Sequence, residues 1–190
     1  TMLGELDYAP TENGDADVVI VNTCAVTAES GRKSRQAVRR LKEKNPSALV
    51  AVCGCFSQIE PGAVRELGAD IIFGSGRRRE LVEAVDAALR DRHRTESIDD
   101  PFRRAAFETL PAGALEGRTR AYMKIEDGCQ NFCTYCVIPF ARGRVLSMPV
   151  GEIAAQAAQL DAQGFKEIVV TGIEIASYGR DLGGGVTLID

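Results

Sequence analysis

Three cysteines, Cys129, Cys133 and Cys136, fall close together, with three residues between the first two and two between the second and third. Thiolates are soft donors, and three at this spacing can each hold one iron of a 4Fe–4S cluster. A fourth thiolate would close the cube, and none lies nearby in the sequence. The fourth iron then stays open, as in a catalytic metal site rather than a purely structural one. An open iron can chelate an amino and a carboxylate group and pass an electron to the molecule that carries them. Two other arrangements suit the same residues: a zinc knuckle short of one ligand, and three buried structural thiols. Zinc sites usually pair C-x2-C units or add histidines, whereas the one histidine, His93, is remote and sits in a charged segment. The spacing favours the cluster.

Three further cysteines lie in the first third of the chain. Residues 17–22 form an apolar run rich in β-branched side chains, the pattern of a buried strand, and Cys24 follows directly. A second such run, residues 48–53, ends at Gly54 and Cys55. In a parallel α/β sheet ligands gather at the carboxyl ends of strands, so Cys24 and Cys55 form a candidate second site. Each is equally well a small buried hydrophobe, the commonest fate of a free cysteine. Cys53, inside the strand pattern, is assigned to the core.

The elements that must carry these residues are legible in outline. Residues 28–44 are predicted as a helix, a helical stretch opens near Pro61, residues 69–73 as a third strand, and residues 78–90 as a helix with Leu81, Val85 and Leu89 on one side. Strands alternating with helices at this pitch imply a parallel sheet. Mixed charge, Pro101 and Pro111 and the lack of a period make the following stretch a linker. The domains expected are residues 1–92, a linker over 93–117, and residues 118–190. In the last of these, residues 119–126 are predicted as a strand leading into the cysteine loop, residues 137–145 as an extended basic segment, residues 149–163 as a helix and residues 165–171 as another strand. Such a β-loop-α-β run is similar to the first units of a β/α barrel. With no methionine at the start and a last turn that leads toward another helix, the sequence is expected to be a segment of a longer protein.

The chain of 190 residues carries a net charge of −4, unevenly spread. Residues 1–31 hold six acidic side chains and no basic one, whereas residues 32–44 hold seven basic residues against one glutamate. Mild overall acidity therefore leaves room for an anionic partner. Arg32, Arg35 and Arg39 recur at spacings that share a helix face, either a solvated face or a stripe that tracks phosphates. Arg142 and Arg144 can grip phosphate or carboxylate, since a guanidinium pairs with either in a fork, and plain surface arginines satisfy the same pattern. No stretch approaches the roughly 18 apolar residues of a membrane helix, and clustered cysteines without a leader pattern favour a reducing, cytoplasmic setting.

The C-x3-C-x2-C loop resembles that of the radical S-adenosylmethionine superfamily. There an aromatic residue before the last cysteine, here Tyr135, lies against the adenine, and a residue at a following strand end, here Glu174, reaches the amino group. The combination with cysteines at the strand ends of an α/β domain resembles the methylthiotransferases. The matching pieces are Val21-Asn22-Thr23-Cys24, the stretch from Gly54 to Gln58, the loop from Asp127 to Gly143, and residues 171–179. Residues 32–35 and 135–144 look most like the MtaB branch. The resemblance implies a radical-SAM β/α barrel of partial TIM type after the parallel sheet, and two 4Fe–4S clusters. One, on Cys129, Cys133 and Cys136, would bind S-adenosylmethionine. The other, auxiliary, would be held by Cys24, Cys55 and a third cysteine that the family carries upstream of Cys24 and this sequence lacks.

The resemblance further implies a substrate, N6-threonylcarbamoyladenosine in the tRNA anticodon loop, and an electron donor such as a flavodoxin-like protein, with no DNA and no membrane involved. In the family's chemistry S-adenosylmethionine is split to methionine and a 5′-deoxyadenosyl radical, which takes hydrogen from C2 of the adenine before a methylated sulfur is delivered. Sister branches act on isopentenyladenosine in tRNA or on a ribosomal-protein aspartate. A non-catalytic iron–sulfur carrier and a zinc-stabilised RNA-binding module are the rivals from other classes.

Overall fold

The computed structural model describes residues 2–11, 16–110 and 119–190. Its first half is a parallel sheet built from β1 (Val18–Thr23), β2 (Leu49–Gly54), β3 (Ile71–Phe73) and β4 (Thr95–Ser97), hydrogen-bonded in that order. The β1–β2 register pairs Val19 with Val50 and Val21 with Val52. On β2 successive side chains are buried on both faces, which explains its unbroken apolar run. On β1 burial alternates, as at a strand with one face toward water.

Helices cover both faces. Helix α1 (Ala28–Lys44) lays Val38 on a cluster with Val19, Val21, Val50, Val52 and Ile72, to which α2 (Cys55–Ile59) adds Phe56 and α3 (Pro61–Glu66) adds Val64. Helix α4 (Arg78–Asp91) packs Leu81, Val85 and Ala88 on the other face, against Leu49, Ala51, Ile71 and Phe73. A reciprocal cap opens α1: the Ser30 amide donates to Thr27 Oγ1 and the Thr27 amide to Ser30 Oγ, each at 3.0 Å.

The second half begins with β5 (Arg120–Lys124), paired in parallel with β8 (Glu167–Thr171). Between them lie β6 (Glu126–Asp127), α5 (Ile138–Arg142), β7 (Leu146–Ser147), antiparallel to β6, and α6 (Val150–Ala162). Met123, Ile125, Met148 and Tyr178 form the core here, and the Tyr178 hydroxyl donates to the Met148 carbonyl at 2.8 Å. The β5–β8 ladder leaves Tyr122 and Val170 about half exposed, on opposite faces since Val170 pairs with Met123, and Ile173 lies just beyond.

Most expected elements appear within two residues of their predicted ends. Three differences have physical causes. Residues 137–145, expected to be extended, contain α5, because Pro139 sits in the first turn, where a missing N–H costs nothing. The stretch expected as a linker supplies β4, three residues long and too short to show a period; its residues 111–117 lie outside the described residues. Helix α2 follows β2 without a loop because Gly54, at φ +101°, turns the chain there. A Cβ on Gly54 would lie 2.4 Å from the Thr23 carbonyl oxygen.

The halves meet on Arg104. Its guanidinium donates to both oxygens of Asp99 (2.7 and 2.8 Å), to Ser75 Oγ (3.1 Å) and to Gln58 Oε1 (3.2 Å), and reaches the Arg142 carbonyl at 3.4 Å. Beside it the Ser75 hydroxyl donates to the Ala141 carbonyl. The Arg104 guanidinium holds the Asp99 carboxyl below the usual carboxylate range against the upward push of burial. Arg104→Leu leaves that carboxylate buried and unpaired, and we expect a loss of about 3–5 kcal/mol, read as a lower urea midpoint. Because the Asp99 pKa is lowered, the pair's contribution is present above about pH 3.9 and is lost as pH falls through the folded value. The variant should lack that part of the acid transition.

Candidate functional site

All six cysteines are free thiols, and the sheet brings two of them to one edge. Cys24 follows β1 and is exposed; its backbone is held by Ser34 of α1, whose hydroxyl meets both the Cys24 amide and its carbonyl at 3.2 Å. Cys55 opens α2 and is buried. Thr23 ties the two strand ends together, donating from Oγ1 to the Cys53 carbonyl at 2.6 Å and accepting from the Ser57 amide at 3.3 Å. Cys53 lies in β2, where burial pushes its thiol pKa up.

The second cysteine set rides on a loop fixed at its base and open at its tip. The Cys129 amide donates to the Gly143 carbonyl at 3.1 Å, and the Cys136 amide to the Cys133 carbonyl at 2.8 Å. Cys133 is exposed, Cys129 and Cys136 partly so. Phe132, at φ 46°, turns its ring outward against Phe102 and Phe140, with centroids 6.3 and 5.9 Å away. Tyr135 stands 91% exposed, free to lie against a ring brought to the loop.

Asp127 anchors the loop. Its Oδ2 receives Lys124 Nζ at 2.7 Å and Arg142 Nη1 at 3.1 Å, and its Oδ1 receives the Gly128 amide at 2.9 Å. Burial pushes this carboxyl up, but the Lys124 and Arg142 charges prevail and hold it below the usual range. Burial also lowers the Lys124 ammonium, against the pull of Asp127. Arg142 reaches farther: its Nε donates to Cys55 Sγ at 3.1 Å. One guanidinium thus touches the cysteine loop's anchor and the sulfur at the end of β2. Above it opens a cleft of about 530 Å³ lined by Arg78, Arg104, Glu108, Asp127, Arg142 and Leu146 among others.

The remaining expected residues are dispersed. Arg32 is paired with Glu29 through two hydrogen bonds (2.8 and 2.7 Å), and Arg35 lies over the Phe56 ring at 5.4 Å. With Arg39 they line one groove on α1 whose lining includes no cysteine. Arg142 is largely buried, its guanidinium taken up by Cys55 and Asp127, whereas Arg144 is exposed and donates to the Arg104 carbonyl at 3.0 Å. Glu174, beyond β8, receives the Ser177 hydroxyl. Arg104, Lys124 and Glu126 escaped the sequence reading; the charged pair three residues apart at Lys124 and Asp127 was the available signal.

Among the described residues no three His, Cys, Asp or Glu side chains are gathered closely enough to hold a metal ion. The donor chemistry of residues 129–136 nonetheless fits an iron–sulfur cluster: three disulfide-free thiols on a single loop whose tip faces outward. The set at the sheet edge does not fit by itself, because Cys24 and Cys55 are two thiols and Cys53 is committed to the strand.

Residues 1–74 match the family model described as "Uncharacterized protein family UPF0004". Over 88% of its length the chain is 39% identical to the threonylcarbamoyladenosine tRNA methylthiotransferase MtaB of Bacillus subtilis, and over 95% it is 35% identical to the MtaB of Thermotoga maritima. It is also 35% identical, over 96%, to a tRNA-2-methylthio-N(6)-dimethylallyladenosine synthase of Pelotomaculum thermopropionicum. The chain spans 37%, 41% and 42% of the length of these relatives. The chain belongs to the methylthiotransferase family, with MtaB proteins among its relatives. No helix among the described residues is long and apolar enough to cross a membrane.

The exposures give an order of thiol reactivity. Brief N-ethylmaleimide pulses on the metal-free chain, followed by peptide mass spectrometry, should label Cys24 and Cys133 first and Cys55 last. Arg142→Ala should uncover Cys55 and bring its rate toward that of Cys24; an unchanged rate would mean that other groups shield it.

Proposed function

We propose that this chain is the cluster-bearing part of a tRNA methylthiotransferase that adds a methylthio group to C2 of N6-threonylcarbamoyladenosine beside the anticodon. The observation that carries the reading is the cysteine loop at residues 129–136, in a chain similar along most of its length to MtaB proteins. Residues 1–92 then correspond to the domain of the auxiliary cluster, residues 93–117 to the connection, and residues 118–190 to the opening units of the radical barrel, working in the cytoplasm.

In this reading Cys129, Cys133 and Cys136 hold a 4Fe–4S cluster, whose chemistry when bound is the one-electron reduction of S-adenosylmethionine supplied by an electron donor. Tyr135 stacks on the adenine and Glu174 accepts from the amino group. Asp127, clamped by Lys124 and Arg142, keeps the base of the loop fixed while its tip receives the cofactor. Cys24 and Cys55 are two ligands of the auxiliary cluster, and Arg142 fixes the sulfur of Cys55. The basic groove of Arg32, Arg35 and Arg39 and the exposed Arg144 meet RNA phosphates. A base must leave its stack to reach such a site, as bases of single-stranded RNA loops do. The synthase match supports a second reading, in which the base is dimethylallyladenosine.

Two measurements on the full-length protein test the reading. Anaerobically reconstituted and reduced, it should give a 4Fe–4S electron paramagnetic resonance signal that shifts on adding S-adenosylmethionine; retained zinc, or a signal indifferent to S-adenosylmethionine, would sink it. In a host lacking its own enzyme, nucleoside mass spectrometry should find methylthiolated threonylcarbamoyladenosine. Cys129→Ala, Cys133→Ala or Cys136→Ala should each abolish that product, a loss of at least about a thousandfold. Appearance of the dimethylallyl product alone would favour the second reading.

A further inference from the structure

Glu126 is completely buried on β6, one residue before the loop's anchor. Its Oε2 accepts from the Glu174 amide at 2.9 Å, and the Ile173 amide bears on the same carboxyl. A Cβ on Gly172 would lie 2.4 Å from that same oxygen, so the segment after β8 is wrapped directly on this carboxyl and only glycine fits at the point of contact. Oε1 finds no partner among the described residues. A buried oxygen without a partner is costly, and neither the expected fold nor the expected chemistry assigns this side chain a task.

We propose that Glu126 is a positioning residue: its carboxyl holds residues 172–174 and thereby sets the Glu174 side chain in the posture that receives the amino group of S-adenosylmethionine. The inference rests on the reading of Glu174 given above. The amide hydrogen bond to Oε2 fixes the backbone at Glu174, while the Ser177 hydroxyl steadies the Glu174 carboxylate from the following turn. The charged groups that bear on Glu126 are Asp127 on its own strand and Glu174 on the segment it holds. Across β7, Asp181 is occupied by the Ser147 amide at 2.9 Å. Burial, with those two negative charges, pushes the Glu126 carboxyl above the usual carboxylate range, and the two amides pull against it. The folded state therefore holds this proton more tightly than the unfolded chain does. This contribution is fully present at low pH and is lost as pH rises through the folded pKa.

The test uses the full-length protein, with two readouts. Amide hydrogen exchange should show Glu174 protected in the parent and in Glu126→Gln, whose carbonyl can accept the same amide, and at least about tenfold less protected in Glu126→Ala. Affinity for S-adenosylmethionine, read from the shift of the reduced cluster's resonance, is followed as the pH is raised across the range in which the protein stays folded. The parent should weaken toward the upper end, Glu126→Gln should hold its affinity throughout, and Glu126→Ala should be weaker at every pH. A merely structural side chain would leave parent and Glu126→Gln with the same pH profile, and that result overturns the proposal, as does unchanged protection in Glu126→Ala. If Glu126→Ala fails to fold, the comparison of the parent with Glu126→Gln decides alone. A parent whose cluster ignores S-adenosylmethionine overturns the reading of the site and the inference with it. A parent that responds while its variants match it overturns the inference only.

Discussion

The arrangement depends on one guanidinium, that of Arg104. It leaves the polypeptide between the two halves and enters a pocket made by Gln58 and Ser75 of the sheet half, Asp99 of the connecting stretch and the Arg142 carbonyl of the loop half. A planar fork with five donors suits such a junction, because each hydrogen bond is directed and the charge is fixed at all working pH values. Coulomb attraction to Asp99 offsets the desolvation of both groups, and the neutral acceptors absorb the remaining N–H groups. Register between the halves is thereby set by hydrogen-bond geometry.

A second chain of charges runs from that junction into the site. Lys124, Asp127 and Arg142 alternate in sign within hydrogen-bonding distance, and the last of them ends on the sulfur of Cys55. The anchor of one cysteine set and a member of the other are therefore parts of one electrostatic unit. The partners are mostly buried, so ordinary salt screens them little. Arg142 had the surface role of an RNA contact in the sequence reading, and its guanidinium instead faces inward.

The sequence made much of this legible, for definable reasons. The strands around Val50 and Ile71 declared themselves because burial on both faces requires unbroken apolar runs, and α1 and α4 because one buried face imposes a helical period on Val38, Leu81 and Val85. Cys24 and Cys55 could be put at strand ends because the strands before them were clear. β4 and α5 were missed since three to five residues carry no period. Arg104, Glu126 and the path of Arg142 were missed because their partners lie far away along the chain: Arg104 to Gln58 and Arg142 to Cys55 are contacts between elements that only the tertiary fold brings together. Local pattern encodes which face of an element is wet, and not which distant group a buried charge will meet.

The short β5–β8 ladder has a practical side. Neither strand has another neighbour among the described residues, and Tyr122 and Val170 stand about half exposed on its two faces. Unpaired strand edges beside an apolar face are templates for further strands. Among the described residues the ladder thus offers places where a further strand can add, as do β1 and β4 at the two edges of the first sheet. Charge introduced at Tyr122 would oppose such pairing without touching a cysteine.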